Sequence, residues 1–218
     1  VTLYQCILID PPWPMKVAGQ YNKAGGRHER PRTLPYETMP LDDIYALPVG
    51  DLADRGAHLW LWVVNQFLED GLKLMRHWGF TYLAPITWAK PSGFGNYFVS
   101  LTEHLLFGYK ERCQFNQGRY YPNYYEETEP ADDMGDLEPI DQRYKWGRPK
   151  QGRHSRKPEA SYRLIESVSD PPRLEIFARP MSPLFPARPG WTQLGDGMDG
   201  MPIQESIQQL EVSHGSRL

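Results

Sequence analysis

This sequence is short of cysteine, of long apolar runs and of positive charge. Its two cysteines, Cys6 and Cys113, show no metal-ligand spacing. Neither a disulfide framework nor a cysteine-held metal is expected, and a reducing compartment fits. No apolar stretch approaches the roughly 18 residues of a membrane span, and the first residues carry neither the basic segment nor the cleavage pattern of a signal peptide. The expectation is a cytoplasmic protein with no membrane partner. Net charge is −3, from 24 Lys and Arg against 27 Asp and Glu. Any phosphate contact must then come from local basic clusters and not from the field of the whole molecule. There is no internal repeat, which excludes solenoids and propellers.

What is present is apolar material for one sizeable core: 218 residues, 40% of them hydrophobic. The 19 glycines and 21 prolines are spread without a period, as in a loop-rich globular scaffold. Basic residues gather from Arg27 to Arg32 and from Arg143 to Lys157, and the stretch from Glu126 to Asp141 is strongly acidic.

Hydrophobic patterning predicts strands and helices in alternation. Cys6–Ile9 is a short apolar run that ends abruptly at Asp10-Pro11-Pro12-Trp13, which predicts a buried strand followed by a stiff loop. A second run covers Ala57–Val64, with a short helix expected before it over Leu41–Leu47. Apolar residues from Phe67 to Trp78 then follow a helical period that Gly79 closes, and Tyr82–Trp88 and Leu101–Tyr109 read as strands. Residues 110–153 are expected to form a long loop or insertion. Pro158 opens a helix through Val168, and Leu174–Phe177 follows as a strand. The fold class predicted is α/β: a mainly parallel sheet with helices on both faces. One domain spans residues 1–197, and residues 198–218 read as a frayed tail.

Asp10 falls at the carboxyl end of the first strand, where parallel sheets bind ligands. The tetrad suits chemistry on an exocyclic aromatic amine, whose lone pair is delocalised into its ring. Asp10 can accept one N–H of such an amine and the Pro11 carbonyl the other. Two successive prolines fix φ and lack an N–H, so the loop presents acceptors in a set direction. Positive charge that develops on an attacking nitrogen is stabilised by a carboxylate already in place. Trp13 offers a flat face for a purine, an interaction worth about 1–3 kcal/mol per base. The alternative for all four residues is a strand, a stiffened turn and a buried tryptophan.

From about Tyr4 to Gly195 the sequence resembles the MT-A-type (MT-A70-like) N6-adenine methyltransferases. The resemblance is carried by the tetrad and by Leu34-Pro35-Tyr36-Glu37-Thr38-Met39-Pro40, His58-Leu59-Trp60-Leu61-Trp62-Val63 and Ile86-Thr87-Trp88-Ala89-Lys90. It continues through Glu103-His104-Leu105-Leu106-Phe107-Gly108, His154-Ser155-Arg156-Lys157-Pro158 and Glu175-Ile176-Phe177-Ala178-Arg179. It implies a Rossmann-like fold in permuted order, with the catalytic loop ahead of the cofactor half, and S-adenosylmethionine as cofactor. It assigns Asp10, Pro11, Pro12 and Trp13 to catalysis, and Tyr36, Trp62, Trp88, Lys90 and Glu103 to the substrate side. Asp10, Ser155, Lys157, Glu175, Phe177, Arg179, Asp196 and Gly197 fall on the cofactor side, with Lys157 meeting the methionine carboxylate. No metal is implied. Two departures stand out: Met181 occupies a position where family members often have histidine, and their Gly-Asn-Gln is here Gly195-Asp196-Gly197.

The partner expected is nucleic acid, DNA ahead of RNA, because the chain is close to a minimal catalytic domain of bacterial or bacteriophage type. The basic clusters would clamp phosphates, and Tyr120, Tyr121, Tyr124 and Tyr125 would stack or wedge. A flipped or single-stranded adenine is required, since a duplex hides the amine. A second subunit, in a homo- or heterodimer, could help read the target. The alternatives are RNA adenosine methylation and a non-catalytic scaffold subunit.

Overall fold

A computed structural model of the chain describes residues 3–15, 37–94, 98–115, 120–128, 145–147, 157–180, 187–195, 198 and 200–215. Its centre is β1, Tyr4–Ile9. From Cys6 to Ile9 every side chain is buried, as a strand covered on both faces requires. β1 lies between β2 (Ala53–Val64) and β7 (Arg173–Ile176) and runs parallel to both.

Alternation along β1 and β2 divides the interior into two layers. Ile7, Ile9, Leu59, Leu61 and Val63 face one side, where they meet α1 (Leu41–Tyr45), α2 (Val49–Leu52) and α3 (Leu68–His77). Cys6, Leu8, Trp60 and Trp62 face the other, beneath α4 (Glu159–Val168). The α4 stripe of Leu164, Ile165 and Val168 is fully buried there, each side chain contributing about 1.5–3 kcal/mol on burial. Two glycines are needed for this packing. At Gly71 a Cβ would sit 2.5 Å from Val63 Cγ1, so α3 can lie this close to β2 only without one. Gly79, at φ 82°, ends α3 in the left-handed conformation that side chains disfavour.

The eight-stranded sheet has the order β6-β5-β3-β4-β2-β1-β7-β8. β3 (Thr81–Phe94) and β4 (Ser100–Tyr109) form an antiparallel pair, and β4 is antiparallel to β2 as well. The other pairings are parallel. β4 therefore stands between the two strands of the expected β-α-β unit and leaves their directions unchanged.

Two expectations are corrected. The stretch 110–153, expected as a long loop or insertion, contributes β5 (Tyr124–Thr128) and β6 (Lys145–Gly147), which extend the sheet beyond β3 and so exclude a loop throughout. Tyr125 is buried opposite Trp88. The tail, read as frayed, contains α5 (Ile203–Gly215), whose Ile203 and Ile207 enter the core and whose Leu210 packs against it. β8 (Trp191–Leu194) closes the far edge beside β7. Among the described residues, no helix is long and apolar enough to cross a membrane.

Candidate active site

The carboxyl ends of β1 and β2 open into a cleft lined by Asp10, Pro11, Pro12, Trp13, Met15, Trp62, Val63, Val64, Glu103, Lys157 and Arg179. β1 delivers Asp10. β4 delivers Glu103 opposite Val64 of β2 and Trp88 of β3. Lys157 arrives just ahead of α4, whose N-cap is Pro158, and Arg179 lies just beyond β7.

Four charges of alternating sign cross this end of the sheet. Lys157 Nζ is 3.0 Å from Asp10 Oδ1 and 3.1 Å from Glu103 Oε2, and Lys90 Nζ donates to Glu103 Oε1 at 2.6 Å. Lys157 also sits 5.2 Å from the centre of the Trp62 ring, and Lys90 5.3 Å from that of Trp88. The two indoles meet edge to face at 6.1 Å. Asp10 is the most open of the four charged side chains, 28% exposed against 10% for Lys157 and 15% for Glu103, so its carboxylate is the one offered to a ligand.

The electrostatics follow from this arrangement. Burial pushes the Asp10 carboxyl above its ordinary pKa; Lys157 pulls it back and Glu103 pushes it further up. Burial would also raise Glu103, but Lys157 and Lys90 outweigh it and hold that carboxyl down to about 2. Lys157 loses solvation, yet Asp10 and Glu103 more than compensate and raise its pKa. Glu103 and Lys157 are thus a charged pair, while Asp10 is the carboxylate least committed to its charge.

The loop after β1 is held by its backbone and by Trp13. Pro11 O accepts the Trp13 N–H at 2.8 Å, and Pro12 O accepts that of Met39 at 2.8 Å. The second lone pair of each carbonyl stays available. Trp13 departs from expectation as an open stacking face. It is 4% exposed, stacks on Phe67 at 5.2 Å and 11°, and donates its indole N–H to Trp62 O at 3.1 Å. Its ring pins the loop to β2, because the apolar layer under α3 offers it more contact than the cleft does.

Glu175 also departs from expectation. Its carboxylate is 4% exposed and receives the Tyr162 hydroxyl on Oε1 and the Gln193 amide on Oε2, each at 2.6 Å. Register explains the contact, since Gln193 of β8 lies directly beside Glu175 of β7. Arg188 extends the cluster by stacking 3.8 Å over the Tyr162 ring while forming a two-pronged pair with Glu159. Sequence reasoning missed Tyr162, Arg188 and Gln193. Only Gln193 carries a local signal, a polar residue two positions from the buried Trp191 and so on the same face of a short strand.

Phe177 stands immediately after β7 at φ 67°, a left-handed turn that redirects the chain toward Arg179. Tyr36, Ser155, Met181, Asp196 and Gly197 lie outside the described residues, as do Arg27 to Arg32 and most of Arg143 to Lys157. Of the four tyrosines, Tyr120 and Tyr124 are exposed, whereas Tyr125 is core and Tyr121 packs beside Phe115. Among the described residues there is no cluster able to hold a metal.

A mixed α/β sheet covered on both faces, with an acidic, proline-stiffened loop at the carboxyl edge of its central strand, defines a ligand-binding α/β protein of the kind that places its chemistry beyond the strand ends. The chain belongs to the MT-A70 family, whose model matches residues 4–197. It is 26% identical over 211 residues to the N(6)-adenosine-methyltransferase catalytic subunit METTL3 of Homo sapiens, covering 92% of this chain and 29% of that protein. It is 28% identical over 200 residues to a probable N(6)-adenosine-methyltransferase MT-A70-like of Oryza sativa subsp. japonica, covering 90% and 23%. A shorter match, 33% over 90 residues (41% of this chain, 10% of that protein), is to the N6-adenosine-methyltransferase non-catalytic subunit MTB of Arabidopsis thaliana. The chain spans less than a third of the length of these curated relatives.

Proposed function

We propose that this chain transfers a methyl group from S-adenosylmethionine to the N6 amine of an adenine in nucleic acid, on a permuted Rossmann-like scaffold. The observation that carries the reading is Asp10: a partly open carboxylate at the end of β1, on a loop of two prolines, bordering the cleft that Trp62, Glu103, Lys157 and Arg179 also line. The cofactor's sulfonium supplies the electrophilic methyl carbon. Lys157 and Arg179 suit its carboxylate and hydroxyls, being cations that line the same cleft. Asp10 accepts an N–H of the amine and opposes the positive charge that grows on nitrogen as the bond to carbon forms. Trp13 acts through the loop it anchors.

DNA is the substrate we propose first, in keeping with the resemblance of the sequence to adenine methyltransferases of bacterial or bacteriophage type. RNA is the second reading, favoured by relatives named for adenosine, the ribonucleoside. Family membership is also compatible with a scaffold role, to which one relative's name points. An intact tetrad beside an open cleft favours catalysis instead. Matched DNA and RNA oligonucleotides with a single adenine, incubated with methyl-labelled cofactor, test all three readings. N6-methyladenine in the DNA is expected, and its absence with Asp10→Ala. Transfer to RNA alone would replace the substrate assignment, and transfer to neither would overturn the enzyme assignment.

A further inference from the structure

The cleft already holds a cation where the target amine has to bind. Asp10 has Lys157 as its ion-pair partner among the described residues, at 3.0 Å. Lys157 in turn is shared almost evenly with Glu103, at 3.1 Å, and Glu103 keeps Lys90 at 2.6 Å on its other oxygen. Lys157 can therefore leave Asp10 and stay neutralised by Glu103. While it remains, a neutral amine must compete for Asp10 with an ammonium, which adds the attraction of a full positive charge to its hydrogen bond with the carboxylate.

We propose that Lys157 is an internal competitor for the amine-accepting carboxylate, and that it releases Asp10 when a ligand carboxylate, that of the cofactor's amino-acid moiety, takes its place beside the ammonium. Binding of adenine is thereby made conditional on bound cofactor. The inference rests on the reading under Proposed function and adds an order of events to it. Lys157 turns its ammonium from one carboxylate to another without entering solvent, since its side chain is 10% exposed. Coupling of this kind is reciprocal, so the adenine strand must tighten cofactor binding by the same factor.

Fluorescence anisotropy of a labelled, adenine-containing oligonucleotide tests this on the wild-type chain. It is measured alone, with saturating S-adenosylhomocysteine, and with saturating 5′-methylthioadenosine, a nucleoside thioether without the amino-acid carboxylate. We expect S-adenosylhomocysteine to tighten binding at least about fivefold and 5′-methylthioadenosine to leave it unchanged. An oligonucleotide with purine in place of adenine, which lacks the amine, should show no effect of either. Lys157→Gln should bind the adenine strand without added ligand as tightly as the wild type does with S-adenosylhomocysteine. Equal tightening by both nucleosides, or equal tightening of the purine strand, overturns the proposal. If methyl transfer is intact in that case, only the role of Lys157 fails. If the chain neither binds S-adenosylhomocysteine nor transfers methyl, the proposed function fails with it.

Discussion

At the scale of single residues, Asp10 and Trp13 divide the work of the loop. Asp10 must be ionised to oppose the positive charge that grows on nitrogen, yet burial and Glu103 raise its pKa above the ordinary 3.8. Turnover should accordingly fall as pH drops through that raised value, so the acid limb of the profile of kcat/KM lies above the range of an exposed aspartate. A limb at or below 3.8 would contradict the environment described for Asp10. Trp13 supplies anchorage. Trp13→Phe keeps a ring against Phe67 and loses the hydrogen bond to Trp62 O, at a cost of about 1 kcal/mol. Trp13→Ala also loses the packing, at about 3–5 kcal/mol. Urea unfolding distinguishes them, and a Trp13→Ala chain of wild-type stability would show that the ring does not pin the loop.

At the scale of elements, β3, β4 and the start of α4 are tied together by Lys90, Glu103 and Lys157. Glu103→Gln leaves two partly buried lysines without their shared anion and should cost about 3–5 kcal/mol. Glu103 is held down to about 2 in the fold against an ordinary 4.5. Its contribution is present above 4.5 and lost as pH falls toward 2, and the variant should lack that part of the pH dependence of stability. Elements with a strong period were legible in the sequence. β1, β2, α3 and α4 fall where apolar runs and the signals of Gly79 and Pro158 put them. β5 was hidden because backbone pairing with β3 and β6 makes it and, among its described side chains, Tyr125 alone is buried within Tyr-Tyr-Glu-Glu-Thr. α5 was hidden because its stripe is only Ile203, Ile207 and Leu210. In the site, Asp10, Glu103 and Lys157 were legible as residues, but their mutual contact was not, since it joins β1, β4 and the approach to α4 across the sheet. The burial of Trp13 was left open between two readings because a tryptophan after a loop carries no mark of which layer it enters.

Across the whole molecule, the cleft with Asp10 occupies one end of the sheet and an acid-sensitive polar cluster the other. His58, near the start of the buried part of β2, shares the Ser169 hydroxyl with the Trp60 indole, at 2.8 and 2.9 Å. Burial lowers its pKa to about 4, against a smaller opposing effect from Asp170. The neutral ring therefore stabilises the fold above its ordinary 6.5, and that stability is lost as pH falls through 4. The loss is on the order of 3 kcal/mol, and His58→Gln should remove it from urea unfolding measured between those limits. An unchanged acid dependence in the variant would place the titrating group elsewhere.

The charge on Asp10 is read out by single-turnover methyl transfer by Asp10→Asn with labelled S-adenosylmethionine and an adenine-containing oligonucleotide. The amide preserves shape and can accept a hydrogen bond, but it brings no negative charge to the developing cation. The rate should be lower by about 100-fold or more, with the chain folded and cofactor still bound; a rate equal to that of the wild type would show that the negative charge has no part in the transfer.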